Sequence, residues 1–411
     1  MDAVIECCAG LDVHQETVVA CVLFGPLERK PKKEIRTFST TTKGLLALLD
    51  WLEEHQCSHA AMESTSVYWK PVWNILESHL TVLLANARMI KNVPGRKTDV
   101  KDAEWIAMLL RSGLIKSSFV PPVEIRDLRD LTRYRKKLIG DVTSEKNRIH
   151  KILQDANIKL TSCLTDLFGV SGRNLIGALI NGEAIDSSNI ESLVKKGLKK
   201  KIPQILDALN GQLRLHHREI IRCSWEHVHY LEELIGNIES IINQKLIPYR
   251  EAFDLLKTVP GINDQAAMIL ISELGIDMSI FPSDRHLASW AGVTPGNNES
   301  AGKIKSSKTL PGNRAVKAVL CECAWVASKQ RNSRIAAHFW RITKRQGKKK
   351  ALIATAHLLI RIVYYILSNK KPYVEFGIEY SEQQQRNMEK RLIRKLELMG
   401  YQVLPQDSQT A

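Results

Sequence analysis

Apolar positions recur at period two over residues 4–24, "VIECCAGLDVHQETVVACVLF", where two β-rich runs flank a polar turn at residues 14–17. That pattern predicts a hairpin. "EIRTFST" (34–40) predicts a third strand, and "KGLLALLDWLEEH" then changes to helical spacing. Two short apolar runs, "HAAMES" (59–64) and "TVLLAN" (81–86), predict strands, each followed by helical sequence. The order βββαβαβα is that of an α/β domain, here closing near residue 115, and "VPP" at 120–122 marks a boundary. From residue 123 to about 160 the apolar positions Ile125, Leu128, Leu131, Leu138, Val142, Ile149 and Leu153 carry coiled-coil-like spacing. A second long helix is expected over about 204–247, and a pair of this kind commonly serves dimerisation. "FDLLKTVPGINDQAAMILISELG" (253–275) has the form of a helix-hairpin-helix element, against the alternative of an ordinary tight αα turn. "AHLLIRIVYYIL" (356–367) is short and interrupted by Arg361, which predicts a buried helix rather than a membrane span. The segment from about residue 381 is expected to be a charged helix followed by a polar tail.

Composition narrows the partner. With 411 residues the chain has room for two or three domains, and 44% hydrophobic with 25% charged residues is the balance of a globular protein. The net charge of +15 favours a polyanion, because Lys and Arg bound to phosphates release counterions. No long amphipathic helix suited to a lipid surface accompanies that charge, and the opening residues show no signal-peptide pattern. The eight cysteines include no paired CxxC set. They are expected to be reduced thiols of a cytoplasmic protein with no zinc site.

Candidate chemistry begins with carboxylates. Asp99 and Asp102 follow Arg96 and Lys97, and their i, i+3 spacing puts both on one helical face. Acidic residues there also complement a helix macrodipole, which is the plainer explanation. Asp12 ends the first strand in "AGLDVH" and Glu63 ends the fourth in "AAMEST". Residues just past the carboxyl ends of neighbouring strands converge on one edge of an α/β sheet. Four carboxylates gathered there repel one another unless cations intervene, and all-oxygen ligation suits Mg²⁺ or Mn²⁺. Two such ions serve phosphodiester chemistry. Further along, "WAGVTPGNNESAGKIKSSKTLPGNRAVKAVL" combines glycines, serines and cations ahead of a helix starting near residue 313. Lys303, Lys305, Lys308 and Arg314 can neutralise phosphates, and Gly261 in "VPGI" can let a backbone approach one. Residue types alone favour a polar DNA-contact loop over a serine nucleophile, since no histidine neighbours it. "KRQGKKK", with Lys348 and Lys349, is a further candidate for nucleic-acid contact, against a solvated cationic loop.

"GLDVH…AAMEST…NARMIKNVPGRKTDVKDAEWIAMLL" resembles the RuvC-like, RNase H-like domain of the DEDD transposases of bacterial insertion sequences, the IS110 family. "LLKTVPGINDQAAMILISELG…FPSDRHLASWAGVTPGNNESAGKIKSSKTLPGNRAVKAVL" is similar to that family's C-terminal transposase domain. The resemblance implies three parts and a tail: a RuvC-like domain over 1–118, coiled-coil helices over 123–250, a mostly α transposase domain with the helix-hairpin-helix over 251–378, and a charged tail over 379–411. It implies a metal-binding tetrad of Asp12, Glu63, Asp99 and Asp102, and a serine nucleophile at Ser300, with Ser306 and Ser307 as the local alternatives. It further implies a covalent phosphoserine intermediate, a composite active site in a homodimer or homotetramer, donor and target DNA as substrates, and a noncoding bridge RNA as guide. A RuvC-type junction nuclease that uses water, and a non-catalytic nucleic-acid-binding protein, are the rival readings.

Overall fold

The computed structural model describes residues 3–64, 66–86, 90, 102–296, 298–300, 303–306, 308–330, 333–375, 391–394 and 396–401, with 298–300 and 303–305 described by backbone alone. The chain divides into two compact units, Met1–Val120 and Pro121–Ala411.

The first unit is a five-stranded mixed sheet in the order β3-β2-β1-β4-β5, from β1 (Cys7–Val13), β2 (Thr17–Phe24), β3 (Lys32–Ser39), β4 (His59–Glu63) and β5 (Thr81–Ala85). β1, β2 and β3 pair antiparallel, whereas β1, β4 and β5 run parallel. The β1–β2 turn is closed by the His14 amide donating to the Thr17 carbonyl at 2.9 Å. Helix α1 (Thr42–Glu54) starts where the Thr41 hydroxyl accepts from the Gly44 amide, an N-cap.

Alternation along β1 splits the core in two. Ala9, Leu11 and Val13 pack with Leu45, Leu48 and Trp51 of α1 and with Val72 and Leu76 of α2 (Trp69–Leu76). Cys8, on the opposite face, packs with Ala61, Ala85 and the residues Ala103, Ile106, Ala107 and Leu110 of α3 (Asp102–Arg111). Both faces are therefore covered by helices, as parallel strands require. The element order expected from the sequence is the one observed.

Within the second unit, α4 (Val123–Asp155) and the later long helix lie side by side. Between them in sequence stand α5 (Val170–Asn181), α6 (Ile190–Leu193) and α7 (Ile202–Ala208), and then comes α8 (Leu215–Leu246). The ion pairs Asp127–Lys245, Arg135–Glu239, Lys146–Glu232 and Glu145–His227 join early residues of α4 to late residues of α8, so the pair is antiparallel. Leu138 and Val142 meet Val228 and Leu231 at the seam. The middle parts of the two long helices thus bury apolar residues on each other within one chain. α4 stops at Asp155, short of 160, because Asn157 turns left-handed at φ 58°. α8 begins at Leu215 rather than near 204, because Gly211 lies tight against the Ala156 carbonyl, where a Cβ would stand at 2.3 Å, and breaks the run. The intervening segment packs Leu164, Leu175, Ile176 and Ile205 into one core with Ile149 and Leu153 of α4 and Ile221 of α8.

The rest is mostly helical: α9 (Arg250–Lys257), α10 (Asp264–Leu274), α11 (Asp284–Trp290), the hairpin β6 (Asn298–Ser300) and β7 (Lys303–Ser306), then α12 (Arg314–Ala327), α13 (Arg334–Gln346) and α14 (Lys348–Asn369). Among the described residues α14 alone is long and apolar enough to cross a membrane. Its Ala356, Leu359, Ile360 and Val363 are fully buried, however, and Arg361 donates to Asp284 at 2.5 Å, which holds that carboxyl below its usual range. A buried face with a paired arginine is that of a core helix. All eight cysteines are free thiols. Cys7 and Cys57 lie with Sγ atoms 3.3 Å apart; that hydrogen bond, with His55 and Arg111 nearby, lowers the Cys7 thiol to about 7.

Candidate functional site

Gly10 fixes how α3 meets the sheet. A Cβ built on Gly10 would stand 2.2 Å from the Ala103 carbonyl oxygen and 2.3 Å from the Ala107 amide nitrogen, so only glycine lets the helix backbone lie on β1. The far end of the same helix meets the start of the strand: the Arg111 carbonyl accepts from the Val4 amide, and the Arg111 guanidinium donates to the Glu6 carbonyl. α3 therefore runs antiparallel to β1, and its amino end, with Asp102 in the first turn, lies toward the carboxyl end of β1. Asp12 is two residues beyond Gly10, on the same face of the strand. Gly10→Ala should destabilise the first unit by about 3 kcal/mol, the upper end for overpacking, because both opposing atoms are backbone and cannot rotate away. Denaturant titration of the full chain checks this; a loss under 1 kcal/mol would mean that α3 is free to lift.

The parallel register supplies the second carboxylate. Leu11 is opposite Met62 as the last matched pair of β1 and β4, so Asp12 and Glu63 each stand one residue beyond it on adjacent strands. Leu11 and Met62 are both fully buried on the α1/α2 side, which turns Asp12 and Glu63 toward the side of α3. Asp12 is partly exposed, with its carboxylate 3.2 Å from His14 Nε2. Asp102 is exposed, and its neighbour Glu104 takes both bonds from Lys33, at 2.8 and 2.9 Å. Asp99, Arg96 and Lys97 lie outside the described residues. Among the described residues no three His, Cys, Asp or Glu side chains are grouped closely enough to hold a metal ion. The donor set at this edge is nevertheless all carboxylate, with no thiol and only His14 beside it, and it suits a hard divalent cation rather than zinc.

The serine segment is a hairpin rather than a loop. β6 and β7 pair antiparallel with Ser300 opposite Lys303, so Ser300 is the last strand residue before the turn. The ladder continues at its base, where the Gly296 amide donates to the Lys308 carbonyl at 2.9 Å and Pro295 faces Thr309. Ser306 Oγ accepts from the Lys308 amide at 3.2 Å, a local turn bond. Ser307 lies outside the described residues, and Lys308 is exposed. Lys317 ties down the neighbouring strand end by donating to Thr309 Oγ1 at 2.5 Å.

The helix expected near residue 313, α12, starts at an Asn313 N-cap whose Oδ1 accepts from the Ala315 and Val316 amides. Its first turn has no acidic residue, and the exposed Arg314 opens it. Lys348 and Lys349 likewise open α14 and are exposed. Gly261 stands at φ +90°, and its missing Cβ makes room for the Cys323 carbonyl, which would be 2.4 Å away, so a glycine here lets this turn pack on α12. The following helix start is occupied by the Asn263 cap and by Asp264, which pairs with Lys257 at 2.6 Å.

A buried charge network escaped the sequence reading. Glu273 is 1% exposed. Arg133 donates to both of its oxygens, at 2.7 and 2.9 Å; Arg129 stands at 3.2 Å, and Asn313 Nδ2 donates at 2.7 Å. Its signal was a lone acidic residue in the apolar run "AAMILISELG", opposite arginines four residues apart on α4.

Comparison with known proteins places both regions. Residues 9–158 match a transposase family model of the DEDD IS110 type, and residues 253–341 match the model described as "Transposase IS116/IS110/IS902 family". The chain is 24% identical over 375 residues to a "Pilin gene-inverting protein" of Moraxella lacunata, covering 89% of this chain and 96% of that one. The corresponding protein of Moraxella bovis is 23% identical over the same length. A "Putative transposase y4pF/y4sB" of Sinorhizobium fredii is 25% identical over 282 residues, 67% of this chain and 64% of that one. The first model spans Asp12, Glu63, Asp99 and Asp102; the second spans Ser300 and Arg314 but stops short of Lys348.

Proposed function

Because the chain belongs to the IS110 family of insertion-sequence transposases, we propose that it cuts and rejoins DNA strands through a covalent serine intermediate supported by a carboxylate site. The observation that carries this reading is the placement of Asp12 and Glu63 in register at one strand edge, with the Asp102 end of α3 laid toward them over Gly10. In this reading the first unit is RNase H-like, the VPGI element is a helix-hairpin-helix, and the domain limits are those the family resemblance implies.

Asp12, Glu63 and Asp102, with Asp99, would hold Mg²⁺ or Mn²⁺, which would supply charge neutralisation at a phosphodiester. Ser300 Oγ attacks phosphorus: an Oγ–P bond forms, the bond to the leaving sugar oxygen breaks, the serine proton is lost and the sugar oxygen gains one. Attack by a second sugar hydroxyl reverses the step and rejoins the strands. Lys303, Lys305, Lys308, Arg314, Lys348 and Lys349 neutralise backbone phosphates. Arg96 and Lys97 act similarly beside the carboxylates. A bridge RNA guides target choice, the active form is a homodimer or homotetramer, and the protein works in the bacterial cytoplasm on the nucleoid.

Ser300→Ala is expected to remove the covalent protein–DNA band on a denaturing gel with labelled DNA, Mg²⁺ and RNA from the flanks of the gene. Cleavage that persists in this variant without any covalent band would instead make the protein a metal nuclease that uses water. A second reading, inversion of a resident DNA segment, draws on the near full-length similarity to the two pilin gene-inverting proteins. A plasmid carrying the candidate sites in inverted and in direct orientation separates the two, since only one orientation yields an inverted product.

A further inference from the structure

We propose that a basic cleft between α4 and the start of α12 binds one backbone phosphate of double-stranded DNA, close in sequence to the serine hairpin. Arg133 and Lys136 line it from α4, and Gly312, Asn313, Arg314 and Ala315 line it from the other side. This inference rests on the reading of the chain as a DNA recombinase and adds to it a site that joins two α4 residues of the segment 9–158 to the start of α12 in the segment 253–341.

Three observations carry it. Cations enter from both walls, and Lys136 and Arg314 are exposed. The floor is small, Gly312 and Ala315, so a bulky backbone group can come close. Both walls are pinned to one buried carboxylate, since Glu273 holds the Arg133 guanidinium by two bonds and Asn313 by a third. Arg133 nonetheless has a half-exposed side chain, and a guanidinium has five donors, so two bonds to Glu273 leave capacity for a ligand. A fixed guanidinium loses less entropy on binding than a free one.

The helix start itself is not the attraction, because the Asn313 side chain already takes the Ala315 and Val316 amides. The charges are. Arg314 at the positive end of the α12 dipole is unfavourable for the isolated helix. A phosphate placed between Arg314, Lys136 and Arg133 relieves that conflict. DNA is the occupant favoured over RNA, because only a short connection joins the hairpin that bears Ser300 to Gly312. A phosphate held here would belong to the strand presented to that hairpin.

The test is fluorescence anisotropy of a fluorescein-labelled DNA duplex titrated with full-length protein at several KCl concentrations. Lys136→Ala and Arg314→Ala should each weaken binding several-fold and reduce the slope of log affinity against log salt, and the double variant should reduce it by about 0.9, the value for one phosphate contact. Arg133→Lys, which keeps a cation beside Glu273 but loses the fork, should weaken binding without unfolding. Unchanged affinity and slope in both Lys136→Ala and Arg314→Ala would overturn the cleft while leaving the recombinase reading intact. Failure of the wild type to bind DNA would instead overturn that reading. Loss confined to a labelled RNA hairpin, or an equal loss in Lys199→Ala on the 156–214 segment, would also overturn the cleft, as an RNA surface or as general charge.

Discussion

Asp12→Asn and Glu63→Gln should each reduce DNA strand cleavage at least about 100-fold, with thermal unfolding nearly unchanged. The two effects separate because of what these side chains touch. Asp12 faces His14 at a partly exposed strand end, and an ion pair of that kind is worth about 0–1 kcal/mol, so an isosteric amide costs little stability. Loss of a carboxylate from a site that neutralises a phosphodiester removes about 3 kcal/mol of transition-state stabilisation, which is the 100-fold. Glu104→Gln provides the control. It is an acid in the same first turn of α3, but its carboxylate is taken by Lys33. Cleavage at wild-type rate in Asp12→Asn, or equal loss in Glu104→Gln, would end the case for a metal-binding edge.

Removing the buried Glu273 carboxylate should cost about 3–5 kcal/mol in Glu273→Ala, because Arg129, also largely buried, is left as an uncompensated cation. Burial pushes the Arg129 guanidinium below its usual range, and the nearby Glu273 opposes that push. Arg133, half exposed, contributes much less to the loss, since water replaces its partner. Glu273→Gln keeps the shape and one acceptor, and falls between. Hydrogen exchange of the full chain, followed over residues 123–155 and 264–274, is the suitable measurement, because a two-unit chain need not unfold in one step. Protection unaltered in both segments of Glu273→Ala would show that the Glu273 carboxylate is not what joins α4 to α10.

Those two sites differ in how far the sequence disclosed them. Asp12 and Glu63 were legible because period-two apolar runs end on them, and strand ends are where polar residues first become tolerable. Gly10 was not singled out; a glycine in a strand announces close approach without saying of what. The long helices were legible through their leucine and isoleucine spacing, yet the seam also buries Arg135 and Glu145, which pair with Glu239 and His227 and which apolar counting passes over. Their antiparallel pairing within one chain depends on how the chain returns through 156–214, and no periodicity encodes that. The serine hairpin was missed because "NES" and "KIKS" lack alternating apolar residues. Its base lies next to the tangential contact of Gly292 and Gly312, where a Cβ on Gly312 would stand 2.3 Å from the Gly292 amide nitrogen. Glu273 was hidden for the opposite reason. Pattern reading assigns a lone acid to solvent, whereas here two arginines from a helix about 140 residues away neutralise it inside.

The antiparallel pairing of α4 and α8 has a consequence for spacing. The chain leaves along one helix and returns along the other, so residues 156–214 are carried at the tip of a stalk whose two ends meet at its root. Contacts with α10 reach along α4 to Arg133, and the 156–214 segment reaches back to Lys146 and Glu232 through Phe168 and Arg173, so about 13 residues of α4, roughly 20 Å, separate the two. Removing one turn from each helix between those contacts would shorten that spacing by about 5 Å. Any change in the separation of DNA sites that such a protein tolerates could then be counted in helical turns.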